Sequence, residues 1–134
     1  MNGIEITSIT SALNLDLPKS LRDFLLALDR LPERIFREGD VLRSPDDIIK
    51  LNLRLRAAGY YHLPWLPHFL AIGSDPGDCT YYFDLSTGSC PVFFADHDFD
   101  DVREYKMLAQ TPEDFVLYLH RMLQDWERQD AELG

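Results

Sequence analysis

The chain has 134 residues, of which 46% are apolar, 12% aromatic and 27% charged, and its formal net charge at pH 7 is −10. That length suits one domain spanning 1–134 with a self-supporting core, and the apolar share is too high for an intrinsically disordered acidic chain. No apolar run approaches the ~18 residues that cross a bilayer, and Met1-Asn2-Gly3-Ile4-Glu5 lacks the basic segment and apolar run of a secretory leader, so a cytoplasmic domain with no membrane association is expected.

Residues 1–11 are expected to fray. Asp16-Leu17-Pro18 then precedes an apolar stripe of Leu21, Phe24, Leu25 and Leu28, the spacing of one buried helix face, and Pro32 limits that helix. Val41-Leu42-Arg43 reads as a short strand. Ser44-Pro45-Asp46-Asp47 combines a capping hydroxyl, a first-turn proline and two carboxylates at the positive helix end; Ile48, Leu51 and Leu55 face inward and Gly59 stops the helix. The two prolines between His62 and His68 forbid a regular helix presenting both histidines.

From Phe69 the period becomes strand-like. Phe69 to Gly73 is an apolar run and Ser74 to Asp78 a turn by composition. Cys79, Tyr81, Phe83 and Leu85 then alternate with Thr80, Tyr82 and Asp84; Ser86-Thr87-Gly88-Ser89 turns again, and Pro91 to Ala95 continues as a strand. Thr111-Pro112-Glu113-Asp114 opens a closing helix whose apolar face is Phe115, Leu119, Met122, Leu123 and Trp126, with 129–134 expected to fray. An antiparallel meander sheet flanked by N-terminal and C-terminal helices is an α+β domain. With helices on one sheet face only, Tyr82 and Asp84 point to an open second face.

The charge is uneven. Residues 1–74 hold nine acidic and nine basic side chains, residues 75–134 fourteen and four, so the whole net charge lies in the second half. An acidic field repels phosphates and favours basic partners, which argues against direct nucleic-acid binding. Cys79 and Cys90 flank the second hairpin in a register that places Cys79 opposite Asp96 and Cys90 opposite Leu85, too far apart to pair, so both are read as reduced, partly buried thiols. In Asp96-His97-Asp98-Phe99-Asp100-Asp101 the aspartates match the first three ligand positions of a calcium loop, but Asp101 stands where glycine is needed and Met107 where a bidentate glutamate belongs. His97-Asp98 follows a strand, the wrong setting for the helix-borne dyad of a metal-dependent phosphohydrolase. No cofactor or metal is expected, and no H-E-x-x-H, G-x-S-x-G or P-loop suggests an enzyme.

Taken together, Phe69-Leu70-Ala71-Ile72-Gly73-Ser74-Asp75-Pro76-Gly77-Asp78 and Tyr81-Tyr82-Phe83-Asp84-Leu85 form a strand, a turn closed by Gly-Asp, and a strand ending in aspartate. Pro91-Val92-Phe93-Phe94 with Asp96-His97-Asp98 adds a strand and an acidic turn, and Thr111-Pro112-Glu113-Asp114-Phe115 starts the last helix. With Pro18 to Leu28 and Ser44-Pro45-Asp46-Asp47-Ile48 as earlier helices, this order over residues 12 to about 123 resembles the SMI1/KNR4 family, also called the SUKH superfamily. Arg30-Leu31-Pro32-Glu33-Arg34 departs from it, standing where members usually carry an Asn-Gly-Gly-like segment. The resemblance implies a non-catalytic protein-binding domain. Many bacterial relatives are immunity proteins that neutralise cognate toxins, often nucleases, whereas fungal relatives are regulators or scaffolds in cell-wall signalling.

The leading expectation is therefore an immunity protein that binds a basic toxin domain through Asp75, Asp78, Tyr82, Asp84, Asp98, Asp100, Asp101 and Glu104, acids interleaved with aromatic anchors. The alternatives are a regulatory or scaffold adaptor of the same fold and, more remotely, a small metal-dependent hydrolase using His97.

Overall fold

The computed structural model describes residues 1–75, 79–99, 101 and 105–133. Gly3–Leu13 form helix α1, which begins within the segment expected to fray. The Asn2 side chain accepts from the Glu5 amide while the Glu5 carboxylate accepts from the Asn2 amide, a reciprocal cap that satisfies two orphan donors. Ile6, Ile9 and Leu13 are buried, and the intervening Thr7 and Ser8 hydroxyls donate to carbonyls four residues back, so the polar stretch sits comfortably in the helix.

Helix α2, Lys19–Leu26, and the 3₁₀ turn Leu28–Arg30 bury Leu21, Phe24, Leu25 and Leu28, as the stripe predicts. Pro32 does not merely end this segment: it caps a further short helix, α3, Glu33–Glu38. Helix α4, Pro45–Ala58, has the Ser44 cap, first-turn proline and terminal Gly59 expected of it. Helix α5 runs Pro112–Leu133 and takes in residues 129–133. Arg34 on α3 holds that last part, with an ion pair to Asp130 at 2.8 Å and its guanidinium 5.2 Å from the Trp126 ring centre. Among the described residues no helix is long and apolar enough to cross a membrane.

The sheet is a four-stranded antiparallel meander in the order β1 (Phe69–Ser74), β2 (Thr80–Asp84), β3 (Val92–Ala95), β4 (Lys106–Ala109). The β2–β3 pairing of Thr80 with Ala95 and Phe83 with Val92 is the register expected from the Thr87-Gly88 turn, and both cysteines are free. Strand β4 has no counterpart in the sequence reading: four residues are too few for an alternation, and only pairing with β3 defines it. Val41 makes an isolated bridge to Gly73 rather than a strand.

Both faces of the sheet are covered, which corrects the expectation of an open second face. On one side Leu70, Ile72, Phe83 and Val92 pack with Ile9, Leu21, Phe24, Ile35 and Phe115 from the helices. On the other, Phe69, Ala71, Tyr82 and Ala95 pack under Leu51 and Leu55 of α4 and the aromatic residues Tyr60, Trp65 and Tyr105. Tyr82 is therefore 2% exposed, its ring 4.3 Å from that of Phe69 and 5.0 Å from that of Trp65. Alternation assigns residues to a face but does not say what lies over it; here the proline-rich 60–68 segment does.

Helix α4 lies along the β1 edge and serves both cores, Ile48 entering the first and Leu51 and Leu55 the second. Between them, fully buried Asn52 accepts from the Ala71 amide at 2.7 Å and donates to the Ala71 carbonyl at 2.8 Å and the Ile48 carbonyl at 2.8 Å. The side-chain amide thus pairs with β1 as a neighbouring strand would. Beyond it the Leu42 amide donates to the Ile72 carbonyl at 2.8 Å, and this approach needs Gly73, where a Cβ would lie 2.3 Å from the Asp40 carbonyl oxygen. Arg56 ties α4 to its other neighbours by donating to the carbonyls of Leu13 at the end of α1 and Pro67.

Removing the Asn52 amide strands the Ala71 donor and acceptor in an interior without water. Asn52→Leu is expected to destabilise the protein by about 3 kcal/mol in urea unfolding, and Asn52→Asp to do so more severely at pH 7 than at pH 4, because its ionised carboxylate would face two carbonyl oxygens.

Candidate functional site

The β1–β2 hairpin connection and the end of β3 lie at the same end of the sheet, and the acids gather there. Asp75 follows β1: its carboxylate accepts from the Cys79 amide at 2.9 Å and its own amide donates to the Cys79 carbonyl at 2.9 Å. Asp96 follows β3 and accepts from the Asp98 amide at 3.0 Å, closing a turn that projects Asp98 outward, its side chain 81% exposed. Between them stands His97, with Nδ1 3.3 Å from Asp96 Oδ1 and Nε2 3.3 Å from Asp98 Oδ1.

Asp40 joins this group from the segment after α3. Burial, and then the charge of Asp75, push its carboxyl above the usual aspartate value. Its location had no local signal in the sequence, since thirty-odd residues separate it from the acidic half and only the Val41–Gly73 bridge brings it alongside. The Cys79 thiol, pushed up to about 11 by burial and then by Asp75 and Asp96, is not an activated nucleophile.

The expected surface is thus rearranged. Asp75 and Asp98 come together at this end. Asp84 lies at the opposite end of β2, paired with Phe69, where its carboxylate accepts from the Ser86 amide at 2.9 Å and sits 3.7 Å from His68 Nε2. Strand direction separates it from Asp75, because residues at the two ends of one strand cannot share a rim. Tyr82 is in the second core, and Asp101 is half-buried. Asp78, Asp100 and Glu104 lie outside the described residues.

Beside the acids is a hollow of about 200 Å³ between the last turn of α4 and the sheet end, walled by Arg54, Ala58, Tyr60, Tyr61, Ser74 and Thr80. Tyr60 forms its floor: it is 4% exposed, its hydroxyl donates to the Ala95 carbonyl at 3.1 Å, and burial raises its pKa. Tyr61 is on the rim, with its ring 5.5 Å from that of His97. The helix side of the hollow carries the Arg54 guanidinium, and on the sheet side Asp75 follows the lining residue Ser74 while Asp96 follows Ala95, the β3 partner of the lining residue Thr80. Such a concave, mixed apolar and charged surface suits docking of a protein side chain.

Asp96, His97 and Asp98 offer donor atoms within 4.8 Å of one another, the geometry that a metal would need. The three are consecutive on an exposed turn, and each imidazole nitrogen already faces a carboxylate. A metal centre usually draws on more separate elements and a more enclosed site.

A sequence model described as the SMI1 / KNR4 family (SUKH-1) matches residues 3–117, from the first residue of α1 into α5. No curated protein and no solved structure matches the chain.

Two measurements test these electrostatics. Because the folded Asp40 carboxyl holds its proton more tightly than the unfolded one, stability falls as pH rises from the ordinary value of 3.8 through the raised one. Asp40→Asn, which also tolerates the left-handed backbone there (φ 60°), is expected to raise Tm at pH 7, with the gain vanishing below pH 3.8. Calorimetric titration with Zn²⁺, Mn²⁺ or Ca²⁺ is expected to show no tight site; tight binding abolished by His97→Ala would make the acidic turn a metal centre.

Proposed function

Because this chain belongs to the SMI1/KNR4 family (SUKH-1), we propose that it acts by binding another protein stoichiometrically, with no chemistry of its own, as the immunity protein of a cognate toxin in the cytoplasm. The single observation that carries the choice of partner is the gathering of Asp40, Asp75, Asp96 and Asp98 at one sheet end beside an aromatic-walled hollow. A nuclease toxin must be positively charged where it holds phosphate, so an acidic rim can cover that surface or compete with its substrate. Occlusion of this kind needs only complementary shape and charge. A regulatory adaptor of the same fold would also bind a protein, but the concentration of fourteen acids against four bases after residue 74 favours a strongly basic partner.

Asparagine keeps the oxygen that accepts each turn hydrogen bond while removing the charge. The combined variant Asp75→Asn, Asp96→Asn and Asp98→Asn therefore isolates the electrostatic part. Co-expression of the wild type with candidate basic nuclease toxin domains is expected to find one whose toxicity it relieves and with which it forms a 1:1 complex. The triple variant is expected to weaken that complex by about tenfold or more at low salt, with a smaller effect at high salt. Absence of both rescue and complex would overturn the reading, and undiminished affinity of the triple variant would displace the surface.

A further inference from the structure

The exposed ring beside the hollow sits on backbone that would favour glycine. The Tyr60 amide donates to the Leu63 carbonyl at 2.8 Å and the Leu63 amide to the Tyr60 carbonyl at 3.0 Å, so Tyr61 and His62 are the central pair of a two-residue hairpin turn. Tyr61 occupies the first of these positions with φ 54°, where a Cβ is crowded and glycine is at ease. Burial does not explain tyrosine here: Tyr61 is 53% exposed, while Tyr60 and Trp65 in the same segment are 4% and 6% exposed. A strained backbone that presents a large ring to solvent is a pattern found at functional sites.

The ring is also held. It stands edge-on to Tyr60 at 5.1 Å and leans over His97 at 5.5 Å, and Tyr60 is itself fixed to Ala95 through its hydroxyl. A side chain ordered in advance loses little freedom on binding. Its surroundings have the composition of an interface hot spot, an aromatic centre with a charged rim. Asp75 adjoins Ser74 on one wall of the hollow, Asp96 and Asp98 flank the His97 ring under Tyr61, and Arg54 stands opposite.

We infer that Tyr61, raised on its strained turn between the hollow and the Asp96-His97-Asp98 carboxylates, is the principal anchor for a basic protein partner. That partner seats an apolar side chain in the hollow against the Tyr61 ring and brings lysine or arginine over Asp96 and Asp98. Arg54 on the far wall fixes the orientation by repelling those cations toward the sheet side. The inference rests on the protein-binding reading above and adds to it where the affinity resides.

The probe is a basic nuclease toxin domain against which co-expression shows protection, titrated calorimetrically into wild type, Tyr61→Gly, Tyr61→Asn, Tyr61→Phe and the triple aspartate variant, with thermal unfolding of each free protein. Glycine and asparagine both suit the turn, so neither variant is expected to lower Tm, yet each is expected to weaken binding about 30-fold. Tyr61→Phe keeps the ring and is expected to bind as the wild type does. If Tyr61→Gly and Tyr61→Asn bind like wild type while the aspartate variant is weakened, the anchor is overturned and the acidic protein-binding surface stands. A lowered Tm with unchanged affinity would make the ring structural and overturn it equally. If the wild type itself does not bind, both readings fall.

Discussion

The side-chain amide of Asn52 is the contact on which the rest of the arrangement depends. Strand β1 is the outer strand of the sheet, and its outward amide and carbonyl at Ala71 must be paired once a helix covers them. Asn52 pairs both and simultaneously holds the Ile48 carbonyl, so the helix is locked to the strand in one register. That lock turns Ile48 into one core and Leu51 and Leu55 into the other. It also sets where α4 ends, and hence where Gly59, with φ 78°, releases the chain toward the Tyr60–Leu63 turn and Trp65.

The hollow is a consequence of the same geometry. Its helix wall is the last turn of α4 and its sheet wall is the end of β1 and the start of β2. The acids around it have structural tasks as well: Asp75 and Asp96 each accept a backbone amide within four residues, and that fixes where their charges point. The Asp40 carboxyl is raised first by its burial and then by the like charge of Asp75.

Features that close within a few residues were legible. Ser44-Pro45 and Thr111-Pro112 start α4 and α5 because the cap and its donor are three residues apart, as the Ser44–Asp47 and Thr111–Asp114 bonds attest. The hairpin through Thr87-Gly88 carries its own register. The Asn2–Glu5 cap is just as local, but Ile6, Ile9 and Leu13 stand among threonines and serines that mask the apolar stripe of α1. Strand β4 and the burial of Tyr82 were not legible, since one depends on pairing with β3 and the other on Trp65 folding back over the sheet. Within the site, Asp75 and Asp98 were legible as turn acids, whereas Asp40 and Tyr61 join them through long-range contacts, the Val41–Gly73 bridge and the Tyr61–His97 ring contact.

By itself the sequence determined the starts of α2, α4 and α5, the first three meander strands with their second hairpin in register, the acidic bias after residue 74 and the order of elements shared with the SMI1/KNR4 family. The tertiary structure alone decided that both sheet faces are buried, that Asp84 parts from Asp75, and that an aromatic hollow opens beside the remaining acids. Caps and turns are satisfied by neighbours within about four residues, so composition and spacing encode them directly. What covers a face or completes a rim is chosen by partners far along the chain, as Asn52 chooses Ala71 and Tyr60 chooses Ala95.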